Sequence, residues 1–181
     1  MKYFKKISGE KCYLAPINVD DAELYTKWLN DLEVVQYLTL RYRMISLLPE
    51  KEVLERLSKE HNYGIVTNDE DKLIGNCGFV EVDNINRTCE IGIFISDKEY
   101  WGKGLGTESL KLLISYGINY LNLRSFMLGV FSYNERAIKS YKKIGFKDIG
   151  ARRKSVIFKN KEFDMLYMDL LSDEFLERNK F

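Results

Sequence analysis

Between Ile95 and Gly117 the sequence reads ISDKEYWGKGLGTESLKLLISYG, with Gly102, Gly104 and Gly106 inside five residues. A strand-like run ends just before them and a long apolar-periodic run starts with them. Glycine reaches left-handed backbone freely and lets another group approach the main chain closely. A strand that passes through such a loop into a helix restricts the chain to folds in which a sheet delivers a helix N-terminus. Three phosphate-binding devices use glycines there. The nucleoside-triphosphate P-loop requires Gly-Lys-Ser/Thr, and Gly102-Lys103-Gly104 is followed by Leu105. The dinucleotide fingerprint requires a third glycine where Thr107 stands and an acid about 20 residues on, where LNLRSF has none. What remains is G-x-G-x-G ahead of a helix. Its consecutive amides and the positive end of the helix dipole form an anion site, to which Lys103 adds charge. A tight strand-to-helix turn with no ligand is the other reading of the same spacing.

The rest of the chain supplies the sheet. KCYLAP predicts a strand stopped by Pro16. Asp20 and Glu23 predict a capping box opening a helix from about Asp21, with Tyr25, Trp28, Leu29 and Leu32 on one face. Pro49, followed by acids, predicts a second helix. YGIVT, LIGNCGFVEVD and RTCEIGIFIS read as an antiparallel meander, with Gly75, Gly78 and Gly92 marking bulges or close backbone approach. A helix follows from about Gly104 to Leu121, its apolar face carrying Leu110, Leu113, Ile114, Gly117 and Leu121. After a strand over RSFMLGVF, Asn134 caps a short helix that Gly145 ends. Two final strands turn at Asn160–Lys161. The expected fold is α/β with one mixed sheet (α+β in character), in the order β-α-α-β-β-β-α-β-α-β-β, forming one domain over residues 1–181.

Composition excludes several function classes. With 28 basic and 27 acidic residues in 181, the net charge is +1, which argues against a general nucleic-acid or anionic-membrane surface. The opening MKYFKKISGEKCYLAP is too charged for a signal peptide, and no run approaches a membrane span. Cys12, Cys77 and Cys89 are widely spaced and read as buried thiols in a reducing, cytoplasmic compartment. One histidine, His61, supplies too few ligands for zinc and no triad. No metal is expected, and the chemistry falls to carboxylates, tyrosines and backbone.

The segments EIGIFISDKEYWGKGLGTESLKLL and VFSYNERAIKSYKKIGFKDIG resemble the GCN5-related N-acetyltransferases (GNAT family). More narrowly, they resemble the branch holding ribosomal-protein N-terminal and bacterial spermidine acetyltransferases. CYLAPINVDDAELYTKWLNDLEVVQYL is typical of that branch, so the likeness spans nearly the whole chain. Gly104 and Gly106 fit the glycines of the family's Gln/Arg-X-X-Gly-X-Gly/Ala pyrophosphate motif. Trp101 stands at its Gln/Arg position, a departure that removes one polar contact.

The resemblance implies acetyl-CoA as cosubstrate and the acyl-CoA N-acyltransferase fold. The diphosphate would sit on main-chain amides from Trp101 through Gly102, Lys103, Gly104, Leu105 and Gly106 to Thr107. The pantetheine arm would pair with Phe94, Ile95 and Ser96, where the family splays two strands. Asn134 would cap its helix and bond the cofactor arm, with Ala137 and Tyr141 on the same helix face. Tyr141 matches the family's general acid. Glu90, in the apolar run CEIGIFI, is the candidate base, direct or through water, because burial raises a carboxylate's pKa. Its other reading is a strand residue paired to Arg87 or a neighbour. Tyr37, Arg41, Tyr42 and Arg43 in the insert QYLTLRYRMISLL, with Glu90, are candidate contacts for the acceptor. Two arginines there suit an amine that carries an anionic group: a peptide N-terminus, an amino acid or an amino sugar. A polyamine acceptor and a catalytically silent CoA-binding module are the rivals. No acyl-carrier cysteine is expected, and a homodimer is a family-level expectation.

Overall fold

The structure is a computed structural model and describes residues 2–179. Its strands are β1 (Ile7–Ser8), β2 (Cys12–Pro16), β3 (Asn62–Thr67), β4 (Leu73–Asp83), β5 (Thr88–Ile95), β6 (Ser125–Phe131), β7 (Lys147–Phe158) and β8 (Lys161–Leu171). The helices are α1 (Ala22–Leu29), α2 (Leu32–Val35), α3 (Leu47–Leu57), α4 (Leu105–Leu121), α5 (Glu135–Ile144) and α6 (Ser172–Arg178). The strands form one mixed sheet in the order β1-β2-β3-β4-β5-β6-β8-β7. The chain divides into two compact units: residues up to Gly78 with Ile93–Leu113, and Phe79–Gly92 with Ile114 onward.

In the first unit, β2 and β3 are antiparallel with Leu14 opposite Ile65, and β3 and β4 are antiparallel with an irregularity between Ile65 and Val66. The α1 stripe works as its spacing predicts for Tyr25, Trp28 and Leu29, which are all buried, Tyr25 and Trp28 in one cluster with Tyr13, Leu54 and Val66. Leu32 departs from that stripe and is 77 % exposed, because α1 ends at Leu29 and α2 starts a new axis. The capping box does not form. A 3-10 turn over Val19–Asp21 comes first, capped by Asn18, whose Oδ1 accepts from the Asp20 amide at 3.0 Å. Asp21 is buried instead, accepting from the Tyr3 hydroxyl at 3.2 Å and pairing with Lys2. Gly75 meets its expectation, since a Cβ there would collide with the Phe94 carbonyl. Gly78 does too, with the His61 carbonyl 2.6 Å from the same point.

In the second unit, β5 and β6 are parallel but share only Thr88↔Ser125, Cys89↔Phe126 and Glu90↔Met127. From there β6 keeps its antiparallel partners on β8 as far as Phe131↔Met165. A crossover through α4 joins the parallel pair, as parallel strands require. A side chain at Gly117 would press on Phe79 and Phe126, so the small residue lets α4 approach. At Gly92 no backbone group approaches closely: a Cβ there meets the Val80 side chain at 3.7 Å. The last hairpin turns at Lys159–Asn160, one residue earlier than the sequence suggests. Both residues are left-handed (φ 50° and 60°), the two-residue geometry whose twist matches antiparallel strands. Helices α2 and α6 and strand β1 are too short to give a clear periodicity.

Candidate functional site

The glycine loop has the backbone its composition suggests. Gly102 and Gly104 are left-handed, with φ +76° and +88°, while Gly106 lies in the first turn of α4 with ordinary backbone. Gly102, Lys103 and Gly104 are exposed, Leu105 is buried and starts the helix, and Gly106 and Thr107 are half-buried. A Cβ on Gly102 would meet nothing within 4 Å, and one on Gly106 would only touch Ile95 at 3.5 Å. The protein's own packing therefore does not demand a glycine at 106. The amides of Gly102, Lys103, Gly104, Leu105 and Gly106 are not given to any main-chain acceptor among the described residues. With a 17-residue helix behind them, they are an unspent set of donors. The Lys103 ammonium stands over the Tyr100 ring, 5.1 Å from its centre.

The strand feeding this loop is partly committed. The Trp101 indole donates to the Ile95 carbonyl at 2.8 Å, and its ring packs against the buried core of this unit. So Trp101, at the family's Gln/Arg position, ties the loop back to the strand end. The Ser96 amide donates to the Ile74 carbonyl at 2.8 Å, and the Ser96 hydroxyl is buried without a partner. Phe94 is half-buried and approaches Gly75 through its carbonyl.

In the second unit, α5 begins at Asn134, whose Oδ1 accepts from the Ala137 amide at 3.3 Å. The helix is strongly two-faced: Tyr141 and Ile144 are buried, while Lys139, Lys142 and Lys143 are exposed. Gly145, at φ +128°, closes it by donating to the Tyr141 carbonyl at 3.1 Å. The Tyr141 ring meets Phe146 edge-on, with centres 6.0 Å apart. Burial pushes its phenol up to about 12. Glu90 lies half-buried on β5 at the last β5–β6 pair. Its carboxyl is raised above the ordinary value, first by desolvation and then by the like charge of Glu81. Arg87 does not pair with it: that guanidinium donates to the Asn122 carbonyl at 2.7 Å and the Asn122 Oδ1 at 2.6 Å.

The insert before α3 is irregular, as expected, and belongs to the first unit. Tyr37 and Arg41 are half-buried, and Arg41 donates to the Leu38 carbonyl at 3.3 Å. Tyr42 and Arg43 are exposed. Sequence reasoning missed what anchors this loop. The Asn30 amide donates to Ile45 O at 2.7 Å and accepts from Ile45 N at 3.1 Å, closing residues 31–44 between them. It also missed Lys11 and Glu108, which bracket the glycine loop. Neither pairing had a signal, because the partners are about ninety residues apart in the chain. His61 is exposed and the three cysteines are buried and free, as expected.

Residues 11–147 match the family model described as acetyltransferase (GNAT) domain. The chain belongs to the GNAT acetyltransferase family. It is 28% identical over 171 residues to the uncharacterized N-acetyltransferase p20 of Bacillus licheniformis, covering 92% of this chain and 96% of that one. To the spermidine N(1)-acetyltransferase of Escherichia coli it is 35% identical over 101 residues, 56% of this chain and 54% of that one. Its fold matches the spermidine N-acetyltransferase of Vibrio cholerae, solved with CoA and spermine. There the TM-score is 0.77 at 22% identity, over 91% of this chain and 98% of that one. Among the described residues no helix is long and apolar enough to cross a membrane.

Proposed function

We propose that this protein transfers the acetyl group of acetyl-CoA directly to a primary amine. The acceptor we assign is a peptide N-terminus, an amino acid or an amino sugar. The observation that carries the reading is the exposed glycine loop at the start of α4, whose amides are unspent. A diphosphate fits there: it is an anion, the amides are bare donors, and no side chain at Gly102 or Gly106 stands in its way. The amides from Gly102 to Gly106 would hold the diphosphate; the Trp101 amide, expected among them, is instead given to the Lys98 carbonyl at 3.1 Å, which closes the turn ahead of the loop. Phe94, Ile95 and Ser96 would offer main-chain groups to the pantetheine arm, Ser96 through its carbonyl because its amide is engaged. Asn134 keeps its side-chain NH2 for the same arm while its oxygen caps α5, and Ala137 leaves room beside it.

Acetyl-CoA supplies a thioester-activated acetyl group. Tyr141 keeps its proton throughout the neutral range, so it can donate a hydrogen bond to a departing sulfur. Glu90, with its raised pKa, accepts a proton from the acceptor ammonium directly or through water. Arg41, Arg43, Tyr37 and Tyr42 would meet the acceptor's anionic group. A polyamine acceptor is the second reading, supported by the named activities of the E. coli and V. cholerae proteins. A panel of peptides, amino acids, amino sugars and polyamines, followed by release of free CoA, tests both readings. Turnover with anionic amines supports the first and turnover confined to polyamines the second. CoA binding without turnover on any amine points to a silent binding module and ends the enzyme reading.

A further inference from the structure

We infer that Lys11, the residue just before β2, is a positioning residue for the diphosphate loop. It acts by fixing the peptide plane that aims the Gly104 amide at the ligand. The inference rests on the acetyl-CoA reading above and adds a residue to it. The Lys11 ammonium donates to the Lys103 carbonyl at 3.0 Å. It also lies 3.4 Å from where a Cβ on Gly104 would stand. A trans peptide is planar, with its N–H pointing opposite its C=O. Holding the Lys103 carbonyl therefore turns the Gly104 N–H the other way.

The next peptide is fixed too, because the Glu108 amide donates to the Gly104 carbonyl at 3.0 Å. The Glu108 carboxylate then closes the circuit by accepting from the Lys11 amide at 2.8 Å. Gly9 makes room for that carboxylate, which occupies the space a Cβ there would need. The arrangement has a reason. Left-handed Gly104 borders the Lys103–Gly104 peptide on one side, and a glycine resists rotation of a peptide plane poorly. Without an outside hold, the carbonyl can turn toward the anion in place of the amide. Lys11 supplies that hold from 92 residues away in the chain.

Equilibrium affinity tests this without turnover, using CoA and dephospho-CoA, which keeps the diphosphate and lacks the 3′-phosphate. Lys11→Met should weaken both ligands by about tenfold, the scale of losing one charge-assisted hydrogen bond. Lys11→Arg, which keeps a cationic donor, should stay within about twofold of the unaltered protein. The shift of the Gly104 amide proton on adding CoA should shrink in Lys11→Met and survive in Lys11→Arg. Three results overturn the inference. One is a loss smaller than about twofold, another a loss confined to CoA, which marks a 3′-phosphate contact. The third is an arginine variant as weak as the methionine one. Absence of CoA binding by the unaltered protein instead removes the coenzyme reading itself, which separates the two failures. Lys11 is exposed, so the methionine variant should fold, and equal melting temperatures check that.

Discussion

On the proposed reading, Tyr141 and Glu90 divide the proton chemistry by their surroundings. One phenol is buried against Phe146 on an amphipathic helix and is held protonated. One carboxyl is half-buried where a parallel ladder stops, and both its burial and Glu81 resist its ionisation. Tyr141→Phe removes a single hydroxyl. On our reading it lowers kcat by about 10²-fold or more, measured as CoA release, while calorimetry finds CoA still bound. Glu90 works only when ionised. The rate with a good acceptor should therefore rise with pH through a limb lying above the ordinary carboxylate range. Glu90→Gln should lower the rate and flatten that limb. A variant that keeps the limb shows that another group is the base.

At the scale of an element, the loop and helix α4 separate two uses of glycine. Gly104 is left-handed, so Gly104→Ala should cost about 1–2 kcal/mol of stability in denaturant melts. Gly106 has ordinary helical backbone and room for a methyl group. Gly106→Ala should leave stability unchanged or raise it by a few tenths of a kcal/mol and change CoA binding little in equilibrium titration, in keeping with a motif position that takes Gly or Ala. The left-handed glycine is the one the loop requires. The insert belongs to the same scale. Asn30 alone clasps Ile45 from both sides of its amide. Asn30→Ala should free residues 31–44, seen as faster amide exchange there, and raise KM for the acceptor more than for acetyl-CoA.

For the whole molecule, the most consequential charge lies outside the proposed chemistry. Glu50, in the first turn of α3, is only 4 % exposed, and burial raises its carboxyl to about 7. A raised folded pKa disfavours the ionised form. The fold is therefore favoured fully below the unfolded value of 4.5 and loses that advantage as pH climbs through about 7. At pH 8 the penalty is on the order of 3 kcal/mol. Glu50→Gln should raise the melting temperature at pH 8 and change it little at pH 5; an equal shift at both would exclude ionisation as the cause. Much of the architecture was legible before any coordinates. Local chemistry decides the Asn134 cap, the Gly145 stop, the α1 stripe and the left-handed loop glycines, and each is written within a few residues. The expectations that failed were also local, but they lacked their context. Asp20 and Glu23 satisfy a capping pattern, yet burial of Asp21 against Tyr3 and Lys2 holds that turn in a 3-10 geometry.

By itself the sequence determined the order of the longer elements, the family and the loop that suits an anion, because periodicity, caps and glycine conformations act over short stretches. Only the tertiary structure decided that Trp101 turns inward to Ile95, that Arg87 serves Asn122 and leaves Glu90 alone, that the β5–β6 ladder ends at Glu90, and that Lys11 grips the loop. All but the first depend on groups far apart in the chain coming together, and no local pattern encodes which distant group arrives; the Trp101 indole, only six residues from Ile95, is turned by the core it packs against.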